Sequence, residues 1–165
     1  GLTLIWPDSS RELRLKYNLK LMSFQVKKGE FSISTSKEQL DLKVIHGYLK
    51  DAYWCKNIPI EIIQKSIKGS LCFGVYDKEE QLGFARVITD FATFAYLADV
   101  FILPSHQGKG LGKWLIQTIV EHADLQDIRT FSLATKDAHG LYEQFGFMPL
   151  AEPHKRMLKV YRTEY

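Results

Sequence analysis

The chain has 165 residues, of which 45% are apolar and 25% charged, so it can fold as one domain around a hydrophobic core. No apolar run approaches the roughly 18–20 residues of a membrane-spanning helix, and no secretory signal is visible at the start. The two cysteines, Cys55 and Cys72, form no CxxC pair, and the scattered histidines have no metal-ligand spacing. We therefore expect a cytoplasmic protein without a metal site.

The formal net charge of +3 is concentrated near the N-terminus. Residues 1–29 contain two acidic side chains and six basic ones, namely Arg11, Arg14, Lys16, Lys20, Lys27 and Lys28. We interpret this segment as a solvated basic extension, with Met22 as a candidate native start, and residues 30–165 as the folded domain. A basic segment could instead contact an acidic partner such as nucleic acid, but the rest of the chain gives no reason to expect one.

Hydrophobic periodicity predicts the elements in chain order. The first part predicts a strand at 31–34, a helix from a cap at 35–36 through Leu49, a helix at 60–67, and strands at 71–76, 82–88 and 93–103. The second part predicts a helix at 113–122, a strand at 130–133, a helix at 138–145, and strands at 147–150 and 157–161. This order is typical of an α+β fold whose mixed, largely antiparallel central sheet is flanked by helices.

A glycine-rich turn between a strand and a helix carries the clearest chemistry. Its sequence is Gln107-Gly108-Lys109-Gly110-Leu111-Gly112, followed by Lys113. The first turn of a helix has backbone N–H groups without partners and a partial positive charge. Glycines let a phosphate approach this backbone, and the two lysines add positive charge. The turn therefore predicts an anion site, with a glycine turn that binds no ligand as the alternative.

The spacing of the glycines excludes two classes of phosphate site. A P-loop needs GxxxxGK followed by Ser or Thr, whereas Lys109 stands between the glycines here. A dinucleotide-binding fold needs GxGxxG, whereas Trp114 and Leu115 stand where a third glycine would be. Neither class of phosphate site therefore explains the motif.

Three segments in the same order resemble the GNAT acetyltransferase superfamily. The glycine turn is similar to its acetyl-CoA motif, Gln/Arg-x-x-Gly-x-Gly/Ala, and the strand at 94–104 ends in a Val-x-Pro-like corner. The third segment is Leu141-Tyr142-Glu143-Gln144-Phe145-Gly146-Phe147. The resemblance covers about residues 31–161, and it departs from the family at Thr135, where an asparagine is frequent. It implies a GNAT-like acyltransferase fold.

The resemblance also implies where acetyl-CoA binds. In the family, two central strands splay apart, and their unpaired backbone groups bind the pantetheine arm as an added strand would. The matching positions here are Val100, Phe101 and Ile102. The glycine turn, with Lys113, would hold the pyrophosphate.

Two side chains are candidates for catalysis. The resemblance places Tyr142 as the acid that protonates the departing thiolate. Asp99 is a carboxylate in an otherwise apolar strand, so it is either paired structurally or acts as the base for the amine, directly or through water. A backbone N–H of Val100 or Phe101 is the candidate oxyanion donor. Arg86 could pair with Asp99, which would weaken the base assignment, or meet an acidic group of the substrate.

Substrate-binding candidates flank this centre. Tyr53 and Trp54 end the helical region that walls the acceptor site in the family, although simple core packing is an equal alternative. His139 could face the acceptor or be satisfied locally. Asp137 is placed to cap the helix that follows it.

These expectations converge on one activity. We expect an N-acetyltransferase that moves an acetyl group from acetyl-CoA to a primary amine by direct attack in a ternary complex. The acceptor would be a small-molecule or peptide amine, with no nucleic acid and no membrane involved, and a homodimer is one option. The alternative is a non-catalytic acyl-CoA-binding or regulatory domain that has the same cleft.

Overall fold

A computed structural model describes residues 23–165, so most of the predicted extension, including Met22, lies outside the described residues. Six strands form one sheet, and they are β1 Gln25–Lys28, β2 Phe31–Ser34, β3 Leu71–Asp77, β4 Glu80–Thr89, β5 Phe94–Ile102 and β6 Thr130–Leu133. The helices are α1 Leu42–Leu49, α2 Ile60–Lys68, α3 Leu111–Val120 and α4 His139–Glu143. In residues 23–165, no helix is both long enough and apolar enough to cross a bilayer.

The strands lie in the sheet in their chain order. Every neighbouring pair is antiparallel except β5 and β6, which are parallel. The predicted mixed, largely antiparallel sheet is therefore confirmed. The described sheet begins at Gln25, so the last residues of the predicted extension contribute its first strand.

Helices cover both faces of the sheet, and each face has its own buried cluster. On one face, Leu115, Ile116 and Ile119 of α3 pack against β3, β4 and β5. On the other, Ile45 of α1 and Ile63 of α2 pack against the inner strands. This three-layer arrangement leaves the ends of the central strands free to carry a site.

Helix α1 begins later than the sequence predicts. The Asp41 carboxylate accepts hydrogen bonds from the backbone N–H groups of Lys43 and Val44, at 2.9 and 3.3 Å. The predicted cap at 35–36 instead precedes the short 3₁₀ turn Lys37–Gln39. Asp41 therefore satisfies the free N–H groups of the first helical turn.

The two strands predicted at 147–150 and 157–161 are wrong. In the described chain, the segment 144–165 contains no strand and a single 3₁₀ turn, Pro153–Lys155. Phe145 and Phe147 pack against the core cluster beside α3, whereas the apolar side chains after them face solvent, with Met157 99% and Leu158 89% exposed. Alternating polarity predicts a strand only where another strand supplies hydrogen bonds, and in the described chain β6 pairs with β5 alone.

Candidate active site

A β-bulge in β5 shapes the centre of the site. Phe84 pairs with Phe101 and Arg86 pairs with Ala98, so Asp99 and Val100 together oppose a single residue of β4. Asp99 has a φ of 56°, a left-handed conformation that residues other than glycine rarely adopt. Such strain concentrates at functional sites.

The bulge also changes which face of the sheet the strand addresses. Before it, Leu97 packs in the cluster beside α3. After it, Phe101 packs on the opposite face and stacks on Tyr48 of α1, with ring centroids 4.0 Å apart. A regular strand would have put Leu97 and Phe101 on one face, because side chains alternate with a period of two. The extra residue therefore redirects the second half of β5.

Strand β6 leaves β5 halfway along. The two strands pair from Phe94 to Leu97 only, and β6 ends at Leu133. In the part of the chain that the structure describes, no other strand pairs with this edge of residues 98–102. This edge of β5 therefore has backbone groups that no strand pairs in the described chain, although the Ile102 carbonyl accepts from Gln107.

The glycine turn lies directly after this open edge. Gly108 and Gly110 have φ values of 79° and 76°, which glycine adopts at no steric cost. A Cβ atom at either position would meet nothing within 4 Å, so the space above the turn is open. The Gln107 side-chain amide donates to the Ile102 carbonyl at 3.0 Å and ties the turn to β5.

Helix α3 begins at this turn without a side-chain cap. Gly110 occupies the N-cap position and no side chain bonds to it there. The first N–H groups of the helix are therefore available to an anion. A cleft of about 370 Å³ opens beside them, lined by Lys28, Gly29, Glu30, Phe31, Lys109, Gly110, Leu111 and Trp114. Lys113 is exposed on the first helical turn.

A larger cavity of about 690 Å³ lies elsewhere. Residues of β1, the second half of α3 and the turn after it line this space, including Phe24, Gln117 and His122. It contains none of the predicted catalytic or acceptor residues. We therefore place the candidate site at the smaller cleft and the open edge of β5, and not in the larger cavity.

Asp99 is held by two side chains. Arg86 Nε donates to one carboxylate oxygen, and Trp54 Nε1 donates to the other at 3.0 Å. Arg86 also donates to the Ser70 hydroxyl at 3.2 Å. The predicted pairing of Arg86 with Asp99 is therefore present. It weakens the assignment of Asp99 as a free base, because a proton on this carboxylate would break the ion pair.

Tyr142 lies on α4 with its ring buried. Its ring meets Phe147 edge to face at 5.9 Å, and its hydroxyl has no hydrogen-bond partner in residues 23–165. Burial, and then the nearby Tyr53 hydroxyl, raises the pKa of Tyr142 above its ordinary value. The hydroxyl therefore keeps its proton near neutral pH.

The loop before α4 differs from the sequence expectation. The Ala138 N–H donates to the Thr135 hydroxyl at 3.0 Å, whereas Asp137 makes no capping bond to the helix. Thr135 thus organises the turn at the position where the family often has asparagine. His139 is exposed at the start of α4 and has no hydrogen-bond partner in the described chain.

Tyr53 and Trp54 form an aromatic corner after α1. Their rings meet edge to face at 5.1 Å, and they are 60% and 42% exposed, so the core-packing alternative is wrong. The Lys136 ammonium lies 5.4 Å from the centre of the Tyr53 ring, which joins the loop after β6 to the loop after α1. Sequence reasoning did not find Lys136, because nothing local marks a contact between segments so far apart.

Comparison with known proteins points to an acetyltransferase family. A family model described as an acetyltransferase (GNAT) domain matches residues 68–149. Two relatives are a candidate acetyltransferase from Gibberella zeae, 33% identical over 57% of this chain, and an uncharacterized N-acetyltransferase from Gracilaria tenuistipitata var. liui, 34% identical over 56%. The chain spans only 64% and 52% of those two proteins.

A solved structure extends the comparison to the whole fold. A candidate acetyltransferase of the GNAT family from Xanthomonas campestris pv. campestris is 48% identical, with a TM-score of 0.77. The match covers 79% of this chain and 92% of the Xanthomonas chain. With the glycine turn, the parted strands and Tyr142 in place, the chain belongs to the GNAT acetyltransferase superfamily.

Proposed function

We propose that the protein is an N-acetyltransferase that transfers an acetyl group from acetyl-CoA to a primary amine by direct attack. One observation carries the proposal: the open edge of β5 leads from the bulge at Asp99 to the uncapped glycine turn. The turn fits a pyrophosphate, because Gly108 and Gly110 leave open space above free N–H groups. Acetyl-CoA would supply an activated thioester beside this edge.

The residues divide between the two ends of that ligand. Gln107 to Lys113 would hold the pyrophosphate, and the backbone of Val100, Phe101 and Ile102 would bind the pantetheine arm. A Val100 or Phe101 N–H is the candidate donor to the thioester oxygen as negative charge develops there. The bulge supports this role because it leaves backbone groups of β5 outside the regular ladder.

Proton transfer involves two residues. Tyr142 would donate its proton to the departing thiolate, since its hydroxyl is otherwise unpartnered in the described chain and its raised pKa keeps it protonated. The acceptor amine must lose a proton before it attacks. Asp99 would help through an intervening water, or it would only position the bulge. Its two hydrogen-bond donors make positioning the simpler role.

The acceptor would approach between the aromatic corner and α4. The rings of Tyr53 and Trp54 are exposed and would line this approach, with Arg86 and His139 beside them. Small-molecule and peptide amines both fit such an open entrance. A homodimer and a cytoplasmic location stay predictions of the sequence.

A panel of amines tests the activity. Purified protein with acetyl-CoA is offered small amines, amino acids and peptides, and released thiol is measured together with the product mass. The protein's own thiols will not disturb the readout, because burial raises the pKa of Cys55 to about 12 and of Cys72 to about 11. Thiol release without acetylated product would count as hydrolysis and contradict the proposal.

A second candidate is a non-catalytic acyl-CoA-binding domain. The observation that favours it is the ion pair of Asp99 with Arg86, which engages the only carboxylate on β5. Calorimetry of acetyl-CoA binding together with the amine panel separates the candidates, because both bind acetyl-CoA and only an enzyme turns it over. Binding with no turnover of any amine in the panel would favour the second candidate.

A further inference from the structure

Lys136 carries a primary amine at the mouth of the proposed acceptor site. It lies in the loop between β6 and α4, three residues after Leu133, where β6 ends beside the open edge of β5. Its side chain is exposed, and it forms no ion pair with any residue of the described range 23–165. Its ammonium lies 5.4 Å from the centre of the Tyr53 ring.

A chain of contacts joins that ring to the reacting centre. Tyr53 packs edge to face on Trp54, and Trp54 donates to Asp99 in the bulge. The Lys136 amine therefore lies against a ring that is joined, through Trp54, to the bulge beside the proposed thioester position.

We propose that Lys136 is an acetylation site of the protein itself, with acetyl-CoA as donor and the same chain as catalyst. This inference rests on the proposed function. The geometry favours transfer within one molecule, because the loop that bears Lys136 leads directly into α4, which bears Tyr142. A tethered amine reacts as though present at very high concentration.

The chemical step is complete with acetyl-CoA alone. The Lys136 amine, after loss of its proton, attacks the thioester carbonyl carbon. A C–N bond forms and the C–S bond breaks, and the thiolate of CoA takes a proton from Tyr142. The attacking nitrogen releases its second proton as the amide forms, and the Tyr142 phenolate takes up a proton in turn, so the acid is restored. The products are Nε-acetyl-Lys136 and free CoA, with no oxidation or reduction.

Acetylation would change the site. The modified side chain has lost its positive charge, so its attraction to the Tyr53 ring is removed. The contact between the loop after β6 and the aromatic corner would then be broken. Self-acetylation would thus alter the entrance that external amines use.

The test incubates the full chain with acetyl-CoA and no external acceptor, then follows each lysine by peptide mass spectrometry over a dilution series. We expect Lys136 to be acetylated at least about tenfold faster than exposed reference lysines, on the effective-concentration argument. Lys65 on α2 and Lys155 near the C-terminus serve as references. The rate at Lys136 should be first order and independent of protein concentration.

Two variants make the result specific. Tyr142→Phe should slow Lys136 acetylation about 10²-fold or more and leave Lys65 and Lys155 unchanged. Its fold should be retained, because the hydroxyl has no partner in the described chain. Lys136→Arg keeps a cation above Tyr53 but cannot be acetylated there, so total incorporation should fall to the level of the reference lysines.

The outcomes separate this inference from the proposed function. Turnover of an external amine with Lys136 modified no faster than Lys65 would overturn the inference and leave the function standing. A rate that rises with protein concentration would overturn transfer within one molecule. Failure of both the external amines and Lys136 to accept acetyl would contradict the proposed function as well.

Discussion

The two halves of the candidate site are built from different materials. The proposed cofactor half consists mainly of backbone: the open edge of β5 and the free N–H groups at the start of α3. The acceptor half consists of side chains, in which Trp54, Asp99 and Arg86 hold one another. Backbone sites depend on where strands end and glycines stand, whereas side-chain sites depend on contacts between distant segments. The first half is therefore set by local backbone geometry, and the second by tertiary contacts.

Loss of the proposed acid should have the largest effect. Tyr142→Phe removes one hydroxyl that has no partner in residues 23–165, so stability and acetyl-CoA affinity should be unchanged. The turnover rate should fall by roughly 10²–10⁴-fold if Tyr142 is the general acid. Steady-state kinetics and calorimetry on the same preparation check both statements. An unchanged turnover rate would remove Tyr142 from the mechanism.

Disruption of the ion pair should have the next largest effect. Asp99→Asn leaves the Arg86 cation, whose side chain is 17% exposed, without its counter-charge. The free energy of unfolding should fall by about 2 kcal/mol, less than for a fully buried pair. Trp54→Phe is the matched control, because it removes one hydrogen bond to the same carboxylate and should cost about 1 kcal/mol. Denaturant titrations measure both.

The same variant sharpens the role of Asp99. If Asp99 only positions the bulge, Asp99→Asn should lower turnover without removing the acidic limb of the pH–rate profile. If that limb disappears in the variant while Tyr142→Phe retains it, Asp99 is the base. The acceptor half would then contain the base as well as the side chains that position the bulge.

A single methyl group should separate fold from cofactor binding. Gly112 lies in the first turn of α3, and a Cβ there would meet the Ile102 side chain at an ordinary 3.8 Å. Gly112→Ala should therefore keep or raise stability by up to about 1 kcal/mol. If the pyrophosphate lies against the Gly112 backbone, as proposed, the methyl group would crowd it, and acetyl-CoA affinity should drop about tenfold.

A helical glycine away from the turn provides the control. Gly47→Ala lies in α1, where a Cβ meets nothing within 4 Å, and it should change stability similarly without changing affinity. Equal affinities of wild type and Gly112→Ala would contradict the pyrophosphate assignment. Calorimetry and thermal unfolding distinguish the two effects.

The smallest expected effect comes from a histidine outside both halves. Burial lowers the pKa of His122, whose Nδ1 accepts from the Asp124 N–H at 3.2 Å. Below the ordinary histidine pKa of about 6.5, the unfolded chain therefore binds a proton that the folded chain resists. Stability from this group is present above that pH and is lost as the pH falls, by at most about 1.4 kcal/mol per pH unit.

The measurement compares wild type with His122→Asn between pH 7 and pH 5. Asparagine can keep the bond to the Asp124 N–H but does not titrate. The wild-type free energy of unfolding should fall more steeply than that of the variant. Identical slopes would show that His122 does not contribute to acid sensitivity.

The sequence predicts the backbone half of the candidate site better than the side-chain half. The antiparallel strands β2 to β5, the glycine turn and α3 were predictable, because period-two alternation and strand-to-helix glycines are local signals. The bulge at Asp99 was not, since no turn residue marks it. The contacts of Trp54 and Lys136 depend on loops brought together by the whole fold. The segment 144–165 shows the converse, because its alternation has no strand partner in the described chain.

The bulge has a consequence for how this chain can vary. The side chains of β5 lie in one phase before Asp99 and in the opposite phase after it. Deletion of a single residue at this point would reverse the phase of everything downstream in the strand and turn Phe101 toward the wrong layer. Substitutions can therefore accumulate along β5, whereas a change in its length cannot. A variant of this chain that retains the site must therefore retain the number of residues in β5, including the extra residue of the bulge.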